Sequence, residues 1–503
     1  MTESRPPNPA APDVVVIGGG PAGSTAAALL AAWGRRVVLI TRPPARRALA
    51  ESLPPSCARL FDRVGIRAIV DDAGFIRSTG NAVQWGKNAL RVERFAAGAL
   101  GWQVRRDVLD HLLVAHAEAS GATVLRDATA RDVTPGGAAD LSLVSYDAGG
   151  EARALSAAWV LDCTGRAGLA GARRWRRDDA TQRTLALVGV WERASGDAWP
   201  MDDHTQTLVE SYEGGWAWSV PVSPERRYLT VMVDPSLTPV RGGEALTATY
   251  ERELARTTAL RRLAAGATLV GEPWARDASS YSSSQAAEPG LLVAGDAASF
   301  VDPLSSYGVK KAIASAWLAA VVTHTCLGNG ALMGPALAFY EERERLMYDE
   351  LRRHTVELSG EARAAHAGSF WKDRAEPDDE DDRQAEPDVA ALRTDERVLA
   401  AFDALKREPV AHLHQSRALE RVNRATVRGH QVVLMEHLVA PDFPGGVRYL
   451  RGVDLVHLVE LAPSHDQVPD LFEAYNRSSP PVALPDFLGA LSVLIGMKMV
   501  VLE

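Results

Sequence analysis

The sequence is short of several things, and each shortage narrows the field. Three cysteines occur in 503 residues, Cys57, Cys163 and Cys326. They are widely spaced with no CxxC pair, which argues against a disulfide scaffold or zinc ribbon and fits a reducing compartment. No uninterrupted apolar run reaches about 18 residues, so no membrane-spanning helix is expected. A basic surplus is missing too: the net charge of -9 argues against a general nucleic-acid binder. The start, MTESRPPNPAAPD, has no apolar core. It reads as a disordered arm over residues 1–12 and not as a signal peptide, so a cytoplasmic location is expected. There is no GxSxG elbow or Ser/His/Asp arrangement. His412 and His414 have no cysteine or carboxylate cluster beside them, so they read as surface or core histidines and no metal is expected.

What is present is ordinary in bulk: 46% hydrophobic and 24% charged residues, as in globular proteins. The length suggests two or three domains. From Asp13 the chain reads VVVIGGGPAGSTAAALLAAWGRRVVLIT, a strand, glycine loop, helix and second strand. QVRRDVLDHLLVAHAEASGATV, from Gln103, reads as a helix feeding a strand, and AAWVLDCTGRAG as a buried strand and turn. WAWSVPV and YLTVMVD flank the turn SPERR as a hairpin. GLLVAGDAASFVDPLSSYGVKKAIASAW returns to strand, loop and helix, and a long amphipathic helix follows from about Pro335. AEPDDEDDRQAEPD is acidic and proline-punctuated, a solvated linker. The fold class expected is α/β: a Rossmann-like domain over residues 13–350, with an antiparallel sheet inserted at about 180–285. A helix and acidic linker then cover 351–395, and a mainly helical C-terminal domain 396–503.

The first motif with chemistry is Gly18-x-Gly20-x-x-Gly23, between strand and helix. The first glycine permits a tight turn, the second lets a pyrophosphate approach the backbone, and the third packs helix on strand. The helix N-terminus then faces the phosphates with its positive dipole. An acidic residue for the ribose is expected at the end of the second strand, but Thr41 and Arg42 stand there, so ribose contacts fall to Thr41 or elsewhere. Ala22 lies within the same turn. The second motif is a strand ending in Gly295-Asp296.

Together these motifs resemble the single-component flavoprotein oxygenases, which implies an FAD-binding domain of the glutathione-reductase type with the inserted sheet as substrate sheet. In those enzymes such an aspartate sits beside the ribityl chain and pyrophosphate of FAD. The resemblance gives Arg106, with Arg105 close behind, the place of a flavin-contacting arginine. A narrower resemblance, covering about residues 13–371, is to the flavin-dependent, tryptophan-halogenase-like enzymes. It rests on Gly215-Trp216-Ala217-Trp218-Ser219-Val220-Pro221 (their WxWxIP), on Ala50-Glu51-Ser52-Leu53-Pro54 (their Gly-Glu-Ser), on Phe300-Val301-Asp302-Pro303-Leu304-Ser305-Ser306-Tyr307-Gly308-Val309, and on Phe339-Tyr340-Glu341-Glu342-Arg343.

In that loop, backbone N–H groups at Gly308 and Val309 and the dipole of the following helix would face a reduced, anionic flavin ring, with Pro303 holding the loop rigid. Lys310 and Lys311, one turn inside, either add positive field there or are solvated, and solvation is the favoured expectation. The stretch GFIRSTGNAVQWG, from Gly74, reads as one polar strand before a Trp-Gly turn. Aligned on the halogenase pattern, Ser78 replaces the lysine whose amine captures hypohalous acid. A hydroxyl cannot take that role, and Arg77 points to the opposite face of the strand.

The resemblance therefore implies an FAD-dependent monooxygenase hydroxylating an indole or phenol through a flavin C4a-hydroperoxide. Trp216 and Trp218 would wall its pocket, and Glu51 is the candidate general base. Two alternatives stand beside it: a halogenase whose lysine role falls to Lys87, and an FAD-dependent dehydrogenase or reductase. Electrons would come from NAD(P)H or a partner flavin reductase. The C-terminal helices (VDLVHLVELA, VPDLFEAYNRS, LPDFLGALSVLIGMKMVVLE) loosely resemble winged-helix modules that grip leader peptides, so the aromatic substrate could be a residue of a peptide or carrier protein.

Overall fold

The computed structural model describes residues 11–43, 47–179, 182–238, 240, 244–375, 392, 394–407, 410, 412–441 and 443–502. The arm over residues 1–10 and the acidic run 376–391 lie outside them. The chain divides into two compact units, Met1–Pro377 and Asp378–Glu503.

In the first unit, Val14–Ile17 is buried at every position because it is a central strand, covered on both faces. It runs parallel to Val37–Ile40 on one side and Trp159–Asp162 on the other. Leu291–Val293 and Thr123–Leu125 extend the sheet in parallel, and Ala287–Glu288 closes one edge antiparallel. Parallel neighbours need a crossover, and the alanine-rich helix Pro21–Ala32 supplies the first. Small side chains let it lie close to its neighbours, and its first ten residues are all buried.

The second sheet has period-two burial. Leu187, Ala217, Leu229 and Val231 pack on the helices Glu244–Arg256 and Ala259–Ala264. Ala186, Val188, Trp216, Met232 and Trp274 form the other face. The anticipated hairpin is present as Gly215–Pro221 against Arg226–Val233. The sheet is not only an insertion, because Gly80–Gln84 and Arg91–Arg94, from earlier in the chain, complete its edge.

That edge corrects the reading of residues 74–86 as one strand. Ile76–Ser78 pairs with Gly101–Arg105 in a small three-stranded sheet, whereas Gly80–Gln84 pairs in the large one. The chain changes sheets at Gly80, whose φ is +157°, and a Cβ there would lie 2.2 Å from the Glu93 carbonyl oxygen. Only glycine fits this corner.

The second unit has the helices Glu396–Arg407, Leu455–Leu461, Val468–Ser478 and Leu484–Gly496. It also has the antiparallel strands Glu420–Arg428, Gln431–Ala440 and Phe443–Val447. Leu438, Leu458, Leu471, Phe487, Leu491 and Leu494 make its own core. The C-terminal strand Val500–Leu502 follows the last helix and pairs with Leu413–Gln415. Among the described residues, no helix is long and apolar enough to cross a membrane.

Candidate active site

The glycine turn is shaped by contacts that admit no side chain. Gly18 has φ +113°, and a Cβ on it would sit 2.3 Å from the Cys163 carbonyl oxygen. A Cβ on Gly23 would meet the Gly18 carbonyl oxygen at 1.8 Å. Gly20 differs: the nearest atom to its Cβ would be an Arg106 guanidinium nitrogen, 3.9 Å away. The outer side of the turn is thus an open cradle at the start of a helix, which suits a pyrophosphate. Thr41 backs the turn, its Oγ1 lying 2.3 Å from where a Gly19 Cβ would be, and its hydroxyl donates to the Arg42 carbonyl at 3.3 Å. Ala22 lies against Gly295, where a Cβ would be 3.1 Å away. The two motifs, far apart in sequence, therefore meet.

Arg106 is the first residue of the helix Arg106–Ala119, directly after the strand Gly101–Arg105. That strand pairs with Ala50–Leu53, which carries Glu51 alongside. Arg106 donates to Glu51 at 2.6 Å and to both oxygens of Asp110, one helical turn on, at 3.1 and 3.2 Å. Burial works against its charge, but Asp110 and Glu51 outweigh that and hold its pKa above the ordinary value. Glu51, the candidate base, thus spends its carboxylate on a cation beside Gly20, with Gly308 on its other side.

Burial raises the pKa of Asp296, opposed by the charges of Lys311 and Arg106. Lys311 is not solvated as anticipated; it is 5% exposed and its Nζ donates to the carbonyls of Gly295 and Ser299 at 3.0 and 2.5 Å. The helix Gly308–Gly328 turns this residue inward, toward the loop that the two carbonyls bracket. Lys310 points outward to Ser56. Sequence reasoning also passed over Arg166, which lies 4.2 Å over the Phe300 ring and is paired with Asp277. Its position after the turn at Gly165 was the available signal.

Pro303 opens a short 3-10 turn, Pro303–Ser305, ahead of the left-handed Ser306 and the helix at Gly308 and Val309. Trp216 and Trp218, two apart on a strand and so on one face, stack with centroids 4.6 Å apart. They belong to an aromatic cluster with Trp85, Trp274, Phe370 and Trp371 that also contacts Phe300 and Leu304 of the Asp-Pro loop.

Between loop and cluster lies Asp302, which sequence reasoning left without a role. It is 4% exposed, and among the described residues neither its carboxylate oxygens nor the Trp216 indole nitrogen makes a close hydrogen bond. Burial raises its pKa to about 6, against Arg374, the Trp216 indole and the Leu304 backbone, which draw it down. An acid inside the apolar run FVDPL was the signal that could have found it.

Ser78 is fully buried, and its hydroxyl donates to the Gly80 carbonyl at 3.0 Å. Arg77 turns away to Asp71 at 2.7 Å and stacks on Trp102. No hydrogen bond or ring contact joins Ser78 to Trp216, Trp218 or Pro303 among the described residues.

A parallel sheet, a glycine cradle at a helix start and a buried Gly-Asp turn define a dinucleotide-binding α/β protein. The family model described as FAD binding domain matches residues 11–328, and the chain belongs to that family. The cradle at Gly20 and the Arg106–Glu51–Asp296 group fit FAD: the glycines admit its pyrophosphate, and Asp296 can accept sugar hydroxyls. Bound there, FAD supplies redox and oxygen chemistry.

Among curated relatives, a tryptophan 2-halogenase of Chondromyces crocatus is 29% identical over 303 residues, 59% of this chain and 58% of that protein. The chain spans about half the length of the curated relatives it matches. The flavin-dependent halogenase CmlS has the same fold, with TM-score 0.76 at 20% identity, covering 99% of this chain and 96% of that one. So has the peptidyl tryptophan dihydroxylase QhpG, with TM-score 0.68 at 23% identity, covering 93% and 97%.

Proposed function

We propose that the protein is an FAD-dependent monooxygenase that hydroxylates an electron-rich aromatic ring, an indole or a phenol. The observation that carries this reading is the lack of an available buried amine. The six lysines are Lys87, Lys310, Lys311, Lys372, Lys406 and Lys498. Of these only Lys311 is buried, and its ammonium is held by two carbonyls. Lys87 is exposed beyond the strand end. Ser78 offers a hydroxyl already used in its own turn. Oxygen transfer from reduced FAD and O2 needs no amine.

The aromatic face with Trp216 and Trp218 would exclude water beside the cofactor. Gly18, Gly20, Ala22, Gly23, Thr41, Arg42, Arg106, Asp296, Gly308 and Val309 would hold FAD, with electrons from NAD(P)H directly or from a partner reductase. Halogenation is the second reading, favoured by the halogenase relatives.

The test is to supply reduced FAD, O2 and bromide with an indole or phenol probe and to weigh the products. The mass of one added oxygen is expected. A bromine isotope pattern, or turnover without O2, would overturn the reading. Ser78→Lys run alongside is expected to lower hydroxylation, and a gain of bromination would support the alignment of Ser78 with the halogenase lysine.

A further inference from the structure

The inner face of the large sheet continues past Trp218. Strand register sets Trp218, Thr230, Val188 and Trp274 in one row, with Val220, Tyr228 and Val190 in the next. Beyond them opens a cleft of about 290 Å³ lined among others by Tyr228, Trp274, Arg47, Arg105, Asp107 and Glu272. Its aromatic wall is built by Tyr228 and Trp274, whose rings meet edge-on at 6.2 Å. Arg105, the residue before Arg106, also lines the cleft.

Four charged side chains sit here, and they are not equally committed. Arg47 is fixed as an arginine: it lies 5.7 Å over the Trp274 ring and donates to the Pro273 carbonyl at 3.2 Å. Its carboxylate partner, Glu272, is 3.5 Å away and 77% exposed. A pair that exposed contributes little, so Arg47 can exchange Glu272 for a bound anion at small cost. Arg105 is held through its Nε and Nη2 by Asp107, two residues along the chain. That contact orients the guanidinium fork, and a planar fork suits a carboxylate. All four line the cleft, Glu272 as a replaceable outer partner of Arg47 and Asp107 as a local brace for Arg105.

We infer that this cleft binds the substrate, with the ring against Tyr228 and Trp274 and a carboxylate held by Arg47 and Arg105, so that the substrate is an electron-rich aromatic acid of small size. The inference rests on the monooxygenase reading and narrows its substrate class. A cleft of this volume is at the low end for small-molecule sites and takes one bicyclic ring with a short acid arm.

Binding is measured on the FAD-loaded full chain by calorimetry, with indole-3-acetate, indole-3-acetamide and tryptamine as probes. The acid is expected to bind at least ~10-fold more tightly than the amide or the amine, and salt should erode the difference. Arg105→Gln and Arg47→Gln should each cut that preference severalfold, and with Arg47→Gln the FAD affinity, read by flavin fluorescence, stays put. Equal binding of acid and amide, or a preference that survives both substitutions, overturns the inference. Failure of the chain to take up FAD would sink the functional reading itself, whereas FAD uptake without acid preference sinks only the assignment of the cleft.

Discussion

The cofactor side and the aromatic side of the first unit handle buried polarity in opposite ways. At the cofactor side the basic groups have partners: Arg106 holds Glu51 and Asp110, and Lys311 holds two carbonyls. At the aromatic side Asp302 and the indole nitrogens of Trp216 and Trp274 make no close hydrogen bond among the described residues. Native interiors rarely leave such groups unsatisfied, because each costs about 1–3 kcal/mol. One side is therefore built before its ligand arrives, and the other keeps its polar groups in reserve near where chemistry is proposed. Held in advance, the cofactor side binds without reorganisation; left without close partners, the aromatic side can respond to what enters.

The largest effect should separate two glycines of one motif. Gly23→Ala drives a Cβ onto the Gly18 carbonyl oxygen, which backbone cannot avoid cheaply. A loss of stability of more than ~3 kcal/mol is expected, with little soluble protein. Gly20→Ala has open space and should fold normally, losing FAD affinity instead. Thermal unfolding without FAD and a flavin titration read the two outcomes. If Gly20→Ala destabilised the apo chain as much as Gly23→Ala, the distinction between packing glycine and cradle glycine would fail.

Next in size is the reserve side. Asp302 has its pKa raised from 3.8 to about 6, so the folded state holds a proton there that the unfolded chain releases. Stability should then fall as pH rises through the window from about 4 to 6, by on the order of 3 kcal/mol. Asp302→Asn should remove this slope, leaving the rest of the pH profile in place. Urea unfolding at intervals between pH 4 and 7 checks it, and an unchanged slope in the variant would show that Asp302 is satisfied in solution.

Much of the cofactor side was legible because its signals are local. Gly18, Gly20 and Gly23 lie in one turn, and Gly295-Asp296 ends one strand, so spacing alone carried the reading. The pairing of Arg106 with Glu51 was less visible, since it depends on two strands meeting 55 residues apart. Lys311 went the other way: a lysine is usually solvated, but helix phase and two loop carbonyls overruled that expectation. The strand change at Gly80 was hidden because an alternating pattern is the same on either sheet, and only the approach of Glu93 forbids a side chain there. Asp302 was missed because its environment comes from two distant elements besides its own loop: the Trp216 strand and the short helix Ser369–Arg374.

The smallest effect asks which side Ser78 belongs to. Its position, by resemblance, is that of a reactive group, yet its hydroxyl is buried and donates to the carbonyl of Gly80, at the corner where the chain changes sheets. That is the behaviour of the satisfied region. Ser78→Ala deletes the donor and leaves the Gly80 carbonyl short of one bond, which should cost about 1 kcal/mol of stability. If the hydroxyl works only as a brace, turnover on a probe acid should keep its pH profile and lose less than about twofold in kcat, while urea unfolding moves by the stated amount. If kcat collapsed with stability unchanged, Ser78 would touch the reacting atoms and would have to move to the reserve side with Asp302. Ser78→Thr, which restores the hydroxyl, should recover most of the stability in the first case, and in the second would recover kcat.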